Sequence, residues 1–192
     1  MAKIKICGLR YDADIDYVNE LKPDYIGFIL TDGFRRSIDV DTAKKLKSRL
    51  DKSIKAVGVF VDDDIHKINR LVKDGVIDMV QLHGSESSEY CKKIKAPTIK
   101  CFKPDTFDCI DEYDTDYFLF DSGTGTGKTF DWNKIPETDK PVFLAGGINK
   151  DNISKAIQKI KPFCIDLSSA VETNGIKDYN KIKEIMEIMR YE

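Results

Sequence analysis

Apolar residues gather into eight short runs along the chain, rich in β-branched and aromatic side chains. They are Ile4–Cys7, Tyr25–Leu30, Ala56–Val61, Met79–His83, Thr98–Phe102, Tyr117–Asp121, Val142–Ala145 and Phe163–Leu167. The runs are nearly continuous in apolar character, as strands covered on both faces are. Between most of them the periodicity becomes helical. Ile65, Ile68 and Val72 share one face, as do Ile153, Ala156, Ile157 and Ile160, and the last stretch sets Ile182, Ile185, Met186 and Met189 together. The helical signal is weak around Phe107 and Ile110 and in the short stretch after Asp131. Strand–helix alternation predicts a parallel sheet covered by helices. Eight units favour a closed (β/α)8 TIM barrel, with the open doubly wound sheet as the alternative.

Composition narrows this picture. A chain of 192 residues with 41% apolar content suits one domain over residues 1–192 with a full core. No linker or low-complexity segment divides it, and no self-similarity relates its halves. The length is short for a barrel, so connections between units must be brief. Thirty-one basic and thirty-three acidic residues are interspersed and leave a net charge of −2. Nothing there marks a nucleic-acid or membrane partner. Five cysteines without a CxxC pair argue against a disulfide framework or zinc site and for reduced thiols. With no long apolar span, a soluble cytoplasmic protein is expected; the sequence does not settle whether it is a monomer or homodimer.

In a barrel of this kind chemistry collects where strands end. The sixth run ends at Asp121 and opens onto Ser122-Gly-Thr-Gly-Thr-Gly-Lys128. A carboxyl beside a glycine-rich loop suits an enzyme that closes over a small substrate and protonates it. The first run ends at Cys7, whose thiol would serve as a base near neutrality after a modest downward pKa shift. Period two places Lys5 on the inward face with Cys7. A buried lysine needs a partner, and Asp166 on the eighth run is the candidate. His83 ends the fourth run, where a substrate role and a structural one stand about equal. A metal centre needs more ligands, and the only other histidine, His66, falls on an outer helix, so no metal is expected. Arg35 and Arg36 follow the second run, and a guanidinium at the rim can grip a carboxylate bidentately. Arg36 is better placed, before Ser-Ile, with Arg35 left open. The runs ending before Gly146-Gly147 and Ser168-Ser169-Ala170 each lead toward a helix, as barrel phosphate loops do.

Six segments carry a resemblance: Lys5-Ile-Cys-Gly8, Val57-Gly-Val-Phe-Val61, Val80-Gln-Leu-His-Gly84, Gly127-Lys-Thr-Phe-Asp-Trp132, Ala145-Gly-Gly-Ile148 and Asp166-Leu-Ser-Ser169. In this order and over the full length, the chain resembles the phosphoribosylanthranilate isomerases of tryptophan biosynthesis. The resemblance implies an Amadori rearrangement of N-(5-phosphoribosyl)anthranilate to 1-(o-carboxyphenylamino)-1-deoxyribulose 5-phosphate, without a cofactor. It implies Asp121 as general acid and Cys7 as general base, with Asp121 protonated when it acts. It gives Arg36 the anthranilate carboxylate, and the amides around Gly146, Gly147, Ser168, Ser169 and Ala170 the phosphate. Ala170 stands where the family usually has glycine, and alanine resists positive φ, so this loop is expected to sit slightly differently. The rival readings are a histidine-pathway sugar-phosphate isomerase, a metal-dependent sugar-phosphate epimerase, and a non-catalytic phosphate-binding barrel.

Overall fold

Eight parallel strands close on themselves in the computed structural model, which describes residues 1–123 and 129–191. They are β1 (Lys3–Cys7), β2 (Tyr25–Ile29), β3 (Lys55–Phe60), β4 (Met79–Leu82), β5 (Thr98–Phe102), β6 (Tyr117–Phe120), β7 (Val142–Leu144) and β8 (Cys164–Leu167). Each pairs with its sequence neighbours, and β1 closes the barrel on β8 with Lys5 opposite Asp166. Five of the expected strands stop one residue short of their apolar runs. Leu30, Val61, His83, Asp121 and Ala145 therefore begin the loops at the barrel mouth.

Outside the strands lie α1 (Asp12–Leu21), α2 (Val40–Arg49), α3 (Ile65–Lys73), α4 (Ser88–Cys91), α5 (Ile153–Ile160) and α6 (Tyr179–Met189). Several start on a side-chain cap: Asp39 accepts from Thr42 N, Asp64 from Lys67 N, and Asp178 from Asn180 N and Lys181 N. After β5 and β6 the expected helices are 3-10 segments, Pro104–Glu112 and Trp132–Lys134. The first opens on proline and is rich in Asp, Thr and Cys, all poor α-helix formers. Two apolar cores result from the strand alternation. Ile4 and Ile6 of β1 join the layer between sheet and helices. Tyr25, Val57, Met79, Ile99, Leu119, Phe143 and Cys164 fill the barrel interior. Phe143 packs its ring against Tyr25, Tyr117 and Phe163, with centroids 5.5–5.7 Å apart.

Candidate active site

Above the apolar interior the barrel opens into a cavity of about 460 Å3, lined by the ends of its strands. A depression of about 430 Å3 on the flank, between Tyr113 and Lys140, contains none of the inward-facing chemistry. Cys7 lines the mouth cavity from β1. Gly27 on β2 makes room for it, because a Cβ there would lie 2.6 Å from Cys7 Sγ. One inward position below, Lys5 is fully buried and its Nζ lies 2.7 Å from Asp166 Oδ2, the pairing that strand periodicity predicts. Burial opposes the Lys5 ammonium, but Asp166 and Cys7 more than compensate and its pKa is raised. Burial also pushes Asp166 upward, against the pull of Lys5. The Cys7 thiol departs from the expected downward shift: desolvation pushes it up, and Lys5 and Lys177 offset only part of that.

Asp121 follows β6 and faces the same cavity. Its Oδ1 accepts from Gly123 N at 2.9 Å, and its Oδ2 lies 3.9 Å from His83 Nε2. His83 Nδ1 meets Gln81 Nε2 at 3.0 Å. Burial lowers the His83 pKa, with Asp121 opposing, so the imidazole is neutral at pH 7. The corner carrying His83 is fixed from outside the barrel. Buried Glu86 accepts from Asp62 N, Gly84 N and Lys100 Nζ, while Lys100 also donates to Gly84 O at 2.7 Å. His66 is exposed on α3. The glycine-rich segment Thr124 to Lys128 lies outside the described residues.

The two arginines after β2 are divided in their surroundings. Arg36 lines the cavity with its side chain 17% exposed, whereas that of Arg35 is 62% exposed. Both reach Glu172, and Arg36 does so bidentately, Nε to Oε1 at 2.6 Å and Nη2 to Oε2 at 2.8 Å. Glu172 begins a two-stranded hairpin, β9 (Glu172–Thr173) and β10 (Ile176–Lys177). Lys177 Nζ donates to Glu172 Oε1 at 2.8 Å and to Ser168 O at 3.0 Å. Burial alone would raise the Glu172 pKa, yet Arg36 and Lys177 carry it down to about 2.

Between β7 and α5, Gly146 and Gly147 both adopt positive φ, +80° and +70°. A Cβ on Gly146 would also sit 2.4 Å from Ser122 N, so a side chain is barred twice. Asn152 Nδ2 holds Gly147 O at 2.9 Å, and neither glycine amide donates to another group among the described residues. After β8, Ser168 Oγ donates to Cys7 O at 3.0 Å, which commits its hydroxyl to tying β8 to β1. Ser169 and Ala170 belong to the single 3-10 turn Ser169–Val171. Ala170 has no positive φ, so alanine in place of glycine introduces no backbone strain and the expected displacement lacks its cause.

The sequence reading did not assign Glu172, Lys177, Lys103 or Gln81. Lys103 and Gln81 line the cavity, and Glu172 and Lys177 brace it. Gln81 stands two residues before His83 and so on the inward face, a signal open to strand periodicity. Glu172 carries no such signal, because its partners come from the loop after β2.

Fold and mouth together define a (β/α)8-barrel enzyme that moves protons on a small anionic substrate. The family described as N-(5'-phosphoribosyl)anthranilate (PRA) isomerase matches residues 4–188. An N-(5'-phosphoribosyl)anthranilate isomerase of Endomicrobium trichonymphae is 46% identical, with 99% of each chain covered. The crystal structure of the Thermotoga maritima phosphoribosyl anthranilate isomerase superposes with a TM-score of 0.87 at 30% identity, all of both chains covered. A phosphoribosyl anthranilate isomerase in complex with reduced 1-(o-carboxyphenylamino)-1-deoxyribulose 5-phosphate superposes at 0.84, with 29% identity and full coverage of both chains. The chain belongs to the phosphoribosylanthranilate isomerase family. It is an intramolecular aldose–ketose isomerase that converts N-(5-phosphoribosyl)anthranilate to 1-(o-carboxyphenylamino)-1-deoxyribulose 5-phosphate in tryptophan biosynthesis. The histidine-pathway, epimerase and non-catalytic readings are thereby set aside.

Proposed function

We propose that Asp121 and Cys7 divide the proton transfers of this rearrangement. Asp121, protonated, gives its proton to the furanose ring oxygen. The C1–O bond breaks, and the nitrogen lone pair forms the C1=N bond of a protonated Schiff base. Cys7, as thiolate, removes the proton from C2. That electron pair forms C1=C2 while the C=N pair returns to nitrogen, giving an enolamine; as C1 gains a proton the C2 hydroxyl loses its own, and its O–H pair closes the C2=O bond of the ketone. The iminium is the electron sink, so the step asks nothing of a cofactor. The protein contributes two proton-transfer groups of different chemistry, a carboxyl and a thiol.

The remaining residues orient the substrate. Burial makes the Cys7 thiolate costly, and the Lys5 ammonium beneath it offsets part of that cost. Arg36 spends Nε and Nη2 on Glu172, which leaves Nη1 for the anthranilate carboxylate. The amides of Gly146, Gly147, Ser169 and Ala170 receive the phosphate, as loops after the seventh and eighth strands do in this fold. The ligand of the relative solved with a reduced product analogue has these same three parts, a carboxylate, an open sugar and a phosphate. We assign the chain one catalytic domain, residues 1–192, acting in the cytoplasm.

The observation that carries this reading is that Cys7 and Asp121 open onto one cavity, with Arg36 and the Gly146–Gly147 loop around it. The test is turnover of phosphoribosylanthranilate, followed by loss of its fluorescence. Cys7→Ser and Asp121→Asn each lower kcat by about 10² or more, the usual scale for a lost general acid or base. Near-full turnover in either variant removes that residue's role.

A further inference from the structure

Gln81 is the one amide side chain in the barrel interior among the described residues, 2% exposed and two positions below His83 on β4. Its Nε2 lies 3.0 Å from His83 Nδ1. An amide nitrogen has hydrogens and no lone pair, so the imidazole nitrogen facing it must be the acceptor. The opposite amide orientation would turn the oxygen toward Nδ1. It would then place both N–H groups where Gln81 Oε1 now lies buried without a partner. The observed orientation leaves one acceptor and one N–H without a partner, the opposite one two N–H groups, and a buried orphan N–H is the rarer of the two, so the observed orientation is the better one. A neutral imidazole that accepts at Nδ1 carries its proton on Nε2. That nitrogen faces Asp121 Oδ2 at 3.9 Å and Cys101 Sγ at 3.7 Å.

We propose that Gln81 is a positioning residue that holds His83 in the Nε2–H tautomer, so that His83 meets Asp121 only as a donor. The consequence for catalysis rests on the reading of Asp121 as general acid. A lone pair on Nε2 would draw the Asp121 proton toward the imidazole and away from the sugar. An N–H there leaves the sugar oxygen as the only acceptor of the pair, and it meets the carboxylate that remains after transfer. The charged groups acting on His83 are Asp121 and Glu86, which favour a second proton, and Lys5 and Lys103, which oppose it; with burial they keep the ring neutral. The other neighbours, Gln81 and Cys101, carry no charge in this state.

Two histidines in the whole chain make the tautomer directly readable. In 15N-histidine-labelled protein at pH 7, long-range proton–nitrogen correlation distinguishes neutral Nε2–H from neutral Nδ1–H and from imidazolium, and His66→Gln removes the other set of signals. The expected spectrum has His83 protonated on Nε2 alone. Gln81→Glu places a carboxylate, an acceptor only, against Nδ1. The proton should then appear on Nδ1, with kcat down roughly tenfold or more and KM within about twofold of the parent. A parent spectrum with His83 protonated on Nδ1 overturns the proposal, and needs no variant to fold. An unchanged His83 pattern in Gln81→Glu, or a changed pattern with unchanged kcat, overturns it as well. Near-full turnover of Asp121→Asn would instead defeat the acid assignment and leave the tautomer measurement standing.

Discussion

Lys5 has no exposed surface and one anionic partner, Asp166, at 2.7 Å. A buried ion pair gives little net stability, but removing one member strands the other, at about 3–5 kcal/mol. Lys5→Met is therefore expected to lower unfolding stability by that order in urea titration, with much of the loss recovered when Asp166→Leu is added. Because the folded-state Lys5 pKa is raised above its ordinary 10.5, its contribution is present in full below that value. It fades only as pH climbs through the folded pKa, so the loss in Lys5→Met stays constant from neutral to pH 9. The same variant should push the Cys7 thiol further up, seen as slower alkylation at a given alkaline pH. The Lys5–Asp166 pair was legible because both residues are odd polar letters in apolar strands that must touch when the barrel closes. The Gln81–His83 pair was half legible: the shared face follows from spacing, but the hydrogen bond and tautomer depend on side-chain torsions that no pattern encodes.

At the scale of elements, the eight strands were readable because strands covered on both faces leave long apolar runs. The connections were less so. Pro104–Glu112 has apolar residues at helical spacing yet forms a 3-10 helix, since it opens on proline and its Asp, Thr and Cys residues give it poor α-helical propensity. The β9–β10 hairpin went unseen because its strands have two residues each and its purpose lies elsewhere. It delivers Glu172 to Arg36, Arg35 and Lys177, and so braces the loop after β2 against the loop after β8. Glu172→Gln should raise KM by roughly tenfold, with a much smaller change in kcat, because Arg36 loses its bidentate seat and not its charge. Stability offers a separate readout. The folded Glu172 carboxyl lies at about 2 against an ordinary 4.5. Its contribution, on the order of 2 kcal/mol, is complete above the ordinary value and disappears as pH falls toward the folded one. Parent and Glu172→Gln should therefore differ in denaturation midpoint at pH 6 and converge near pH 2. A gap that persists at pH 2 would mean the effect is steric.

For the molecule as a whole, the fold separates two tasks. Phe143 and its aromatic neighbours close the lower barrel, and the polar residues Lys5, Gln81, His83 and Asp166 occupy the upper interior, where burial makes every charge and proton count. That division was legible from the strand ends, since Cys7, His83 and Asp121 each close an apolar run. What sequence withheld was how burial tunes the thiol: Cys7 is raised where a lowering was expected. The account depends on a thiol and a carboxyl reaching one sugar from two walls of the same cavity. The most direct test is a crystal structure of this chain with the reduced product analogue bound. Sugar C2 is expected within about 3.5 Å of Cys7 Sγ, and the former ring oxygen within hydrogen-bond reach of Asp121, about 3 Å. An analogue seated in the cavity with either side chain turned away from those atoms would contradict the account.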